Sequence, residues 1–197
     1  MNLRMFLFVA ILGTFSLQDL HAQEAKPRPA STPASTLDFA VVYNGQWAAV
    51  NSTNRFAMQG ASAQIHGKFW KGLGVVADVG ETHTANMHNS GTGLDLVTAT
   101  FGPRYTWQPP HRRLEVFGQF LGGEAWGLHS VFPAPGGAQS SVYGGAWQAG
   151  GGTNFRLNRY LSWRVFEADW LCTHLPNATS QSENNLRVGT GLILRLP

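Results

Sequence analysis

Apolar residues alternate with polar or small residues along eight segments of the chain after residue 36. The last segment is the clearest: between 186 and 196 one face carries Leu, Val, Thr and three more Leu, and the other carries Arg, Gly, Gly, Ile and Arg. Alternation with a period of two predicts a β-strand with one apolar and one polar face. Eight such strands predict an all-β fold, a single eight-stranded antiparallel up-and-down transmembrane β-barrel with lipid outside and a polar interior.

The predicted strands are separated by connections of two kinds. The strands are 37–47, 60–69, 73–84, 94–107, 113–127, 142–157, 160–172 and 185–196. Short turns are predicted at 70–72, 108–112 and 158–159, and longer polar loops at 48–59, 85–93, 128–141 and 173–184. Short turns at one end and long loops at the other are typical of outer-membrane barrels, with the turns in the periplasm.

The region before residue 37 reads as an export signal followed by a linker. Arg4 precedes an apolar run over 5–17, and Ala22 offers a cleavage site, so 1–22 is predicted to be a signal peptide that is too short to span a membrane as a helix. Residues 23–36 are rich in Pro, Ala, Ser and Thr, which predicts a disordered lead-in. The barrel domain is then 37–197. No later segment has the length of apolar sequence that a membrane helix needs, so a spanning protein must close as a barrel.

Tryptophan positions follow the two ends of the predicted strands. One group lies beside the short turns and the other beside the long loops; the groups are Trp70, Trp107 and Trp163, and Trp47, Trp126 and Trp170. Amphipathic rings at both strand ends predict aromatic girdles at the two membrane interfaces.

Charged residues fall mainly on the inward face of the predicted strands. They comprise Asp38, Asp78, Glu115, Glu167 and Asp169, with Lys68, Arg104, Arg156, Arg187 and Arg195. An eight-stranded barrel is only just wide enough for its own side chains. We therefore expect these charges to pair and to plug the lumen.

Two predicted strands do not fit the rule that every charged residue faces inward. Glu115 and Glu124 have opposite parity, so one leaves the lumen unless Gly122 and Gly123 host a bulge. Arg164 falls on the face opposite to Glu167, which suggests that its long side chain reaches the membrane interface instead.

Composition and charge exclude other classes. The net charge of +3 comes from scattered cations and forms no stripe, so nucleic acid is not an expected partner. The single cysteine, Cys172, cannot form an intramolecular disulfide and is interpreted as a small apolar residue at a strand end.

Four stretches of the chain resemble a known family. They are 102–107 (GPRYTW), 116–123 (VFGQFLGG), 164–170 (RVFEADW), and 182–187 (SENNLR) leading into 189–191 (GTG). Together they are similar to small eight-stranded outer-membrane β-barrels of the OmpA-like superfamily, in the form common in acidobacteria. The resemblance implies residence in the outer membrane, with its lipids as partners, and biogenesis through periplasmic chaperones and the barrel-assembly machinery. Such proteins usually end on an aromatic residue, whereas this sequence ends Leu196-Pro197.

The leading functional interpretation is a non-enzymatic structural or surface-interacting protein whose outer loops could bind a ligand. A lipid-A-modifying enzyme is an alternative, because His83, His88, His129 and His174 lie in predicted outer loops and Ser130 follows His129. No His-x-Ser arrangement with a nearby acid accompanies them, and their spacing is not that of a metal site. The histidines are therefore interpreted as solvated loop residues, and no catalytic residue, metal or cofactor is predicted.

A soluble lipocalin-like carrier of a small apolar ligand is the other alternative. Gly45-Gln46-Trp47 is similar to the Gly-x-Trp signature of that fold, but it lies at the end of the first strand instead of the start. Finally, barrel closure predicts that the first and last strands pair, and that Asp38 and Arg195 approach closely or join one lumenal cluster.

Overall fold

The computed structural model describes residues 37–49, 55–86, 92–110, 112–134, 137–176 and 182–196. They form eight strands: β1 (Leu37–Ala49), β2 (Arg55–Trp70), β3 (Leu73–Thr84), β4 (Leu94–Trp107), β5 (Leu114–Ala134), β6 (Gly137–Arg156), β7 (Leu161–Thr173) and β8 (Glu183–Leu196). Each strand pairs with the next in antiparallel fashion, and β8 pairs with β1 to close the barrel. The predicted fold class is confirmed. The predicted signal peptide and lead-in lie outside the described residues, as does Pro197.

Strand pairing across the closure places Asp38 opposite Arg195, and both side chains are buried in the lumen. The predicted pairing of the first and last strands is therefore correct. The Asp38 carboxylate lies 3.0 Å from Lys68 Nζ, while the Arg195 guanidinium binds Glu115. The two residues thus join neighbouring ion pairs at the same rim.

The longest predicted outer loop is wrong. Most of 128–141 is strand, because β5 continues to Ala134 and β6 starts at Gly137. The register shifts between Leu128 and Phe132, and the buried Phe132 side chain packs into an apolar cluster with Val142. Phe132 thus anchors the extended hairpin to this cluster, although the composition of 128–141 is typical of a loop. The predicted loop 48–59 is shortened in the same way, since β2 begins at Arg55. In the described part of the chain, no helix has the length and apolar character to cross a membrane.

Burial alternates along the strands and leaves a large apolar outer wall. In β3, for example, Val76 and Asp78 are buried whereas Val75 and Val79 are exposed. The other exposed large apolar side chains of the wall include Phe39, Val41, Ile65, Phe101, Val116, Phe120, Phe166, Leu192 and Leu194. An apolar surface that covers a whole barrel indicates contact with lipid.

Glycines in β6 let neighbouring strands approach closely. A Cβ atom at Gly151 would collide with the backbone carbonyl of Phe117 on β5, and one at Gly152 with that of Phe166 on β7. Small residues therefore permit the tight curvature of this narrow barrel.

We expect Phe101→Arg to destabilise the barrel in lipid by about 2–4 kcal/mol, because Phe101 lies on the outer wall midway along β4. Val131→Arg is a matched control: both side chains are 68% exposed, but Val131 lies five residues beyond Trp126 on the extended hairpin. Urea-induced unfolding in phospholipid vesicles would measure the difference. Equal stabilities of the two variants would contradict the assignment of the lipid face.

We expect Gly151→Ala to destabilise the folded barrel by about 1–3 kcal/mol through the clash with the β5 backbone. Gly145→Ala on the same strand is the control, since a Cβ atom there has nothing within 4 Å. Folded fractions are read from heat-modifiable mobility in unheated electrophoresis across a urea series. A Gly151→Ala variant as stable as Gly145→Ala would show that the strand spacing is not set by these glycines.

Candidate functional site in the barrel lumen

The outer end of the lumen is filled by apolar side chains. This apolar cap consists of Ala48, Met58, Leu94, Leu96, Ala125, Phe132, Val142, Ala146, Leu171 and Leu175, with Phe56 packed against it. The expectation of a polar interior along the whole barrel is therefore wrong for this end. At this end many inward positions hold Leu, Met and Ala instead of charged residues.

The middle of the lumen holds a network organised around Glu167. Arg164 Nη1 donates to Glu167 Oε2 over 2.7 Å, and Gln119 Nε2 donates to Glu167 Oε1 over 2.8 Å. Gln64 Nε2 donates to the same Oε1 over 3.0 Å, and Arg104 Nη2 lies 3.8 Å from it. All of these residues are buried. A carboxylate with this many donors is stabilised in its ionised form inside the barrel.

Two glutamines join the neighbouring cations in this network. Gln64 Oε1 accepts hydrogen bonds from Arg104, over 2.7 Å, and from Arg164. Gln119 Oε1 accepts one from Arg104 Nε over 2.9 Å. The two guanidiniums also lie over the same Phe117 ring, at 4.4 Å for Arg104 and 4.8 Å for Arg164. Amide oxygens and an aromatic ring thus separate like charges that would otherwise repel each other.

Arg187 forms the part of the network nearest to the apolar cap. Its Nη2 atom lies 3.3 Å from Asp78 Oδ2, 3.5 Å from Asp169 Oδ2 and 2.9 Å from Gln148 Oε1. Asp169 also accepts a hydrogen bond from Gln119, over 2.9 Å, which connects this group to Glu167. The central network therefore contains three arginines and three carboxylates in one hydrogen-bonded unit.

A second cluster lies at the end of the barrel that carries the short turns. Arg195 binds Glu115 with both terminal nitrogens and donates from Nε to Ser162 over 2.7 Å. Arg156 Nη2 donates to the same carboxylate over 3.0 Å. Beside it, Asp38 lies 3.0 Å from Lys68 Nζ and 3.6 Å from His66 Nδ1. Between this cluster and the central network lies a cavity of about 10 Å³, which has room for roughly one water molecule.

The structure places all ten predicted network residues on the inward face, and it adds Arg164. A bulge in β7 between Arg164 and Glu167 inserts one extra residue and turns both side chains inward. The expectation that Arg164 reaches the membrane interface is therefore wrong. No bulge occurs at Gly122 and Gly123, and Glu124 is exposed on the outer wall. The sequence analysis did not include Gln64, Gln119 and Gln148 in the network. Their positions on the inward face of the strands could have indicated that they take part in it.

The predicted girdle tryptophans lie on the outer surface. Trp47, Trp70, Trp107, Trp163 and Trp170 are exposed, and Trp126 is half-buried. Trp47 and Trp170 flank the same residue of β8, Leu186, which places them at one level. Trp170 Nε1 donates to Asn184, and Trp163 Nε1 donates to Thr190, both over 3.1 Å.

Two of the predicted loop histidines share a carboxylate. His83 Nδ1 contacts Asp95 Oδ1, and His129 Nδ1 lies 2.6 Å from Asp95 Oδ2. Both rings are exposed to solvent, but they lie in β3 and β5 instead of loops, and the β3–β4–β5 register brings them to one carboxylate. His174 is exposed and His88 lies outside the described residues. Across the described ranges, no group of three His, Cys, Asp or Glu could hold a metal ion. Cys172 is buried, with Sγ 3.3 Å from Ser182 Oγ.

No family model matches the chain, and no curated protein matches it. Its fold is similar to that of Neisserial surface protein A, with a TM-score of 0.62 and 8% identity over 82% of this chain and 98% of that one. It is also similar to Ail, the attachment invasion locus protein of Yersinia pestis, with a TM-score of 0.55 and 15% identity over 81% of this chain and 97% of that one. A second structure of Ail, in complex with the heparin analogue sucrose octasulfate, has the same TM-score of 0.55 and 13% identity.

These solved structures are small eight-stranded outer-membrane barrels, and this chain has their fold. Together with its apolar outer wall, this gives the protein the fold of a transmembrane β-barrel of the outer-membrane type. The closer likeness to the acidobacterial form stays a prediction.

We expect Arg164→Met to destabilise the barrel by about 3–5 kcal/mol, because it leaves Glu167 buried without its closest cation. The double variant Arg164→Met/Glu167→Gln should be more stable than the single one, since the unpaired charge is removed. Arg159→Met, at an exposed turn position, is the control and should cost little. Urea unfolding in detergent measures all of them. Additive effects of the two network substitutions would contradict the coupling.

Proposed function

We propose that the protein is an integral outer-membrane barrel with a structural or surface-interaction role, whose lumen does not conduct solutes. The observation that carries this proposal is the filling of the lumen at successive levels. The apolar cap occupies the outer end, and the central network joins side chains from β2, β3, β4, β5, β7 and β8 across the middle. The Arg195–Glu115 pair occupies the turn-side end. An ion would have to break buried hydrogen bonds at the lower two levels and cross an apolar layer at the first.

The extended β5–β6 hairpin supports a role in surface interaction. It continues past the level of Trp126 and exposes Val131, while Phe132 anchors it to the apolar cap. A hairpin that projects from a barrel can present a binding surface. The outer ends of the strands also carry Glu81 and Glu183, while Asp95 is paired with His83 and His129. The sulfated ligand of the Ail complex belongs to that protein and is not transferred to this chain.

The two alternatives receive less support. A soluble carrier needs an apolar cavity inside and a polar wall outside, whereas the apolar residues of this barrel cover its exterior. A hydrolase needs a nucleophile within reach of its base. Ser130 is buried whereas the neighbouring His129 is exposed, and the Nδ1 atom of His129 is already engaged by Asp95.

In planar lipid bilayers, we expect the refolded barrel to show no stable single-channel current, because buried side chains hydrogen-bond across the lumen in the central network. A general porin inserted under the same conditions is the positive control, and heat-modifiable mobility checks that the barrel has folded. Long-lived conductance steps comparable to those of the porin would overturn the proposal of a closed lumen.

A further inference from the structure

The turn-side end of the barrel opens into a cationic pocket. This pocket has no part in the proposed function, which rests on the lumen and the outer hairpin. The pocket has a volume of about 300 Å³ and is lined by Lys68, Lys71, Tyr105, Trp107, Gln108 and Arg156, with Glu115 and Arg195 at its base. We name it the turn-side pocket. Its volume is at the lower end of the range of pockets that bind small ligands.

The charges of this pocket are unbalanced. Four cations line it, and the two carboxylates within reach, Asp38 and Glu115, are both buried and already paired. The net charge of these groups is +2. No residue in the described ranges forms an ion pair with Lys71, and Arg156 shares its single charged contact with Arg195. The buried Nε atom of Arg156 has no hydrogen-bond partner there. An unpaired buried donor beside excess positive charge indicates a place for an anion.

The backbone holds Lys71 at the edge of this pocket. Lys71 and Gly72 form the tight β2–β3 turn with φ angles of 37° and 92°, and Thr106 N donates to Gly72 O over 2.7 Å. The Lys71 ammonium lies 5.7 Å from the centre of the Trp70 ring. A lysine adopts positive φ only at an energetic cost, so this placement is maintained by the surrounding structure.

We propose that the turn-side pocket binds a phosphate group, held by Lys71 and Arg156, with Tyr105 and Trp107 beside it. The phosphate can belong to the head group of an anionic phospholipid in the adjacent leaflet or to a soluble phosphate. Tyr105 and Trp107 are exposed at the turn-side end of β4, and aromatic residues at strand ends can contact the glycerol part of an interfacial lipid. Lys and Arg are the side chains that bind phosphate through charge-assisted hydrogen bonds. The inference requires only a folded barrel and is independent of whether the lumen conducts.

Calorimetric titration of the refolded protein in a non-ionic, phosphate-free detergent tests this inference. The probes are inorganic phosphate and short-chain phosphatidylglycerol, with short-chain phosphatidylcholine as the zwitterionic reference. We expect saturable binding of phosphatidylglycerol, and Lys71→Gln should weaken it about tenfold by removing one charge-assisted contact. Arg156→Gln should weaken it further. Arg159→Gln is the matched control, because Arg159 lies on the same rim over Tyr160 but does not line the pocket.

Each outcome of this experiment is decisive. Binding of phosphatidylglycerol alone assigns the pocket to lipid, and binding of both probes assigns it to the phosphate group from either source. If neither probe binds, or if Arg159→Gln weakens binding as much as Lys71→Gln, the inference is overturned. If Arg156→Gln fails to show heat-modifiable folding, Lys71→Gln decides the question alone, since Lys71 is an exposed turn residue. A conducting barrel that still binds the lipid would separate this inference from the proposed function.

Discussion

The structure depends on one constraint: a polar side chain that points into this narrow barrel must find its partner inside. Lipid covers the wall, and the interior leaves little room for water. Glu167 meets this requirement by accepting hydrogen bonds from Arg164, Gln64 and Gln119. Removing any one of these side chains would leave a buried charge or amide without a partner, so the interior is coupled across strands that are distant in sequence.

Irregularities in the strands help buried polar side chains to reach their partners. The β7 bulge turns Arg164 inward to meet Glu167 and simultaneously keeps Trp163 and Phe166 on the outer wall. A regular strand would have exposed Arg164 to lipid and left Glu167 without its closest cation. The glycines of β6 have a related role, because they let β5 and β7 approach close enough for side chains from opposite walls to meet.

The two ends of the barrel differ in a way that bears on function. The outer end is lined by the apolar cap and extends into the β5–β6 hairpin. The turn-side end holds buried ion pairs and opens into a pocket lined by Lys and Arg side chains. The two ends of the barrel therefore present chemically different surfaces.

Residue alternation predicted eight strands and the inward face for ten charged residues, because side chains in a strand point to opposite faces with a period of two. The need to pair every strand edge in lipid predicted the closure. The same alternation assigned Asp38 and Arg195 to the same rim. It failed for Arg164, since one bulge reverses parity and depends on pairing with both neighbouring strands. It failed for the hairpin at 128–141 because Phe132 is stabilised by an apolar cluster that forms only when distant strands meet. The register of the closed sheet likewise decided ion pairs between strands, such as Arg195–Glu115 and Arg187–Asp78. It also brought His83 and His129 to Asp95, three residues that lie on different strands.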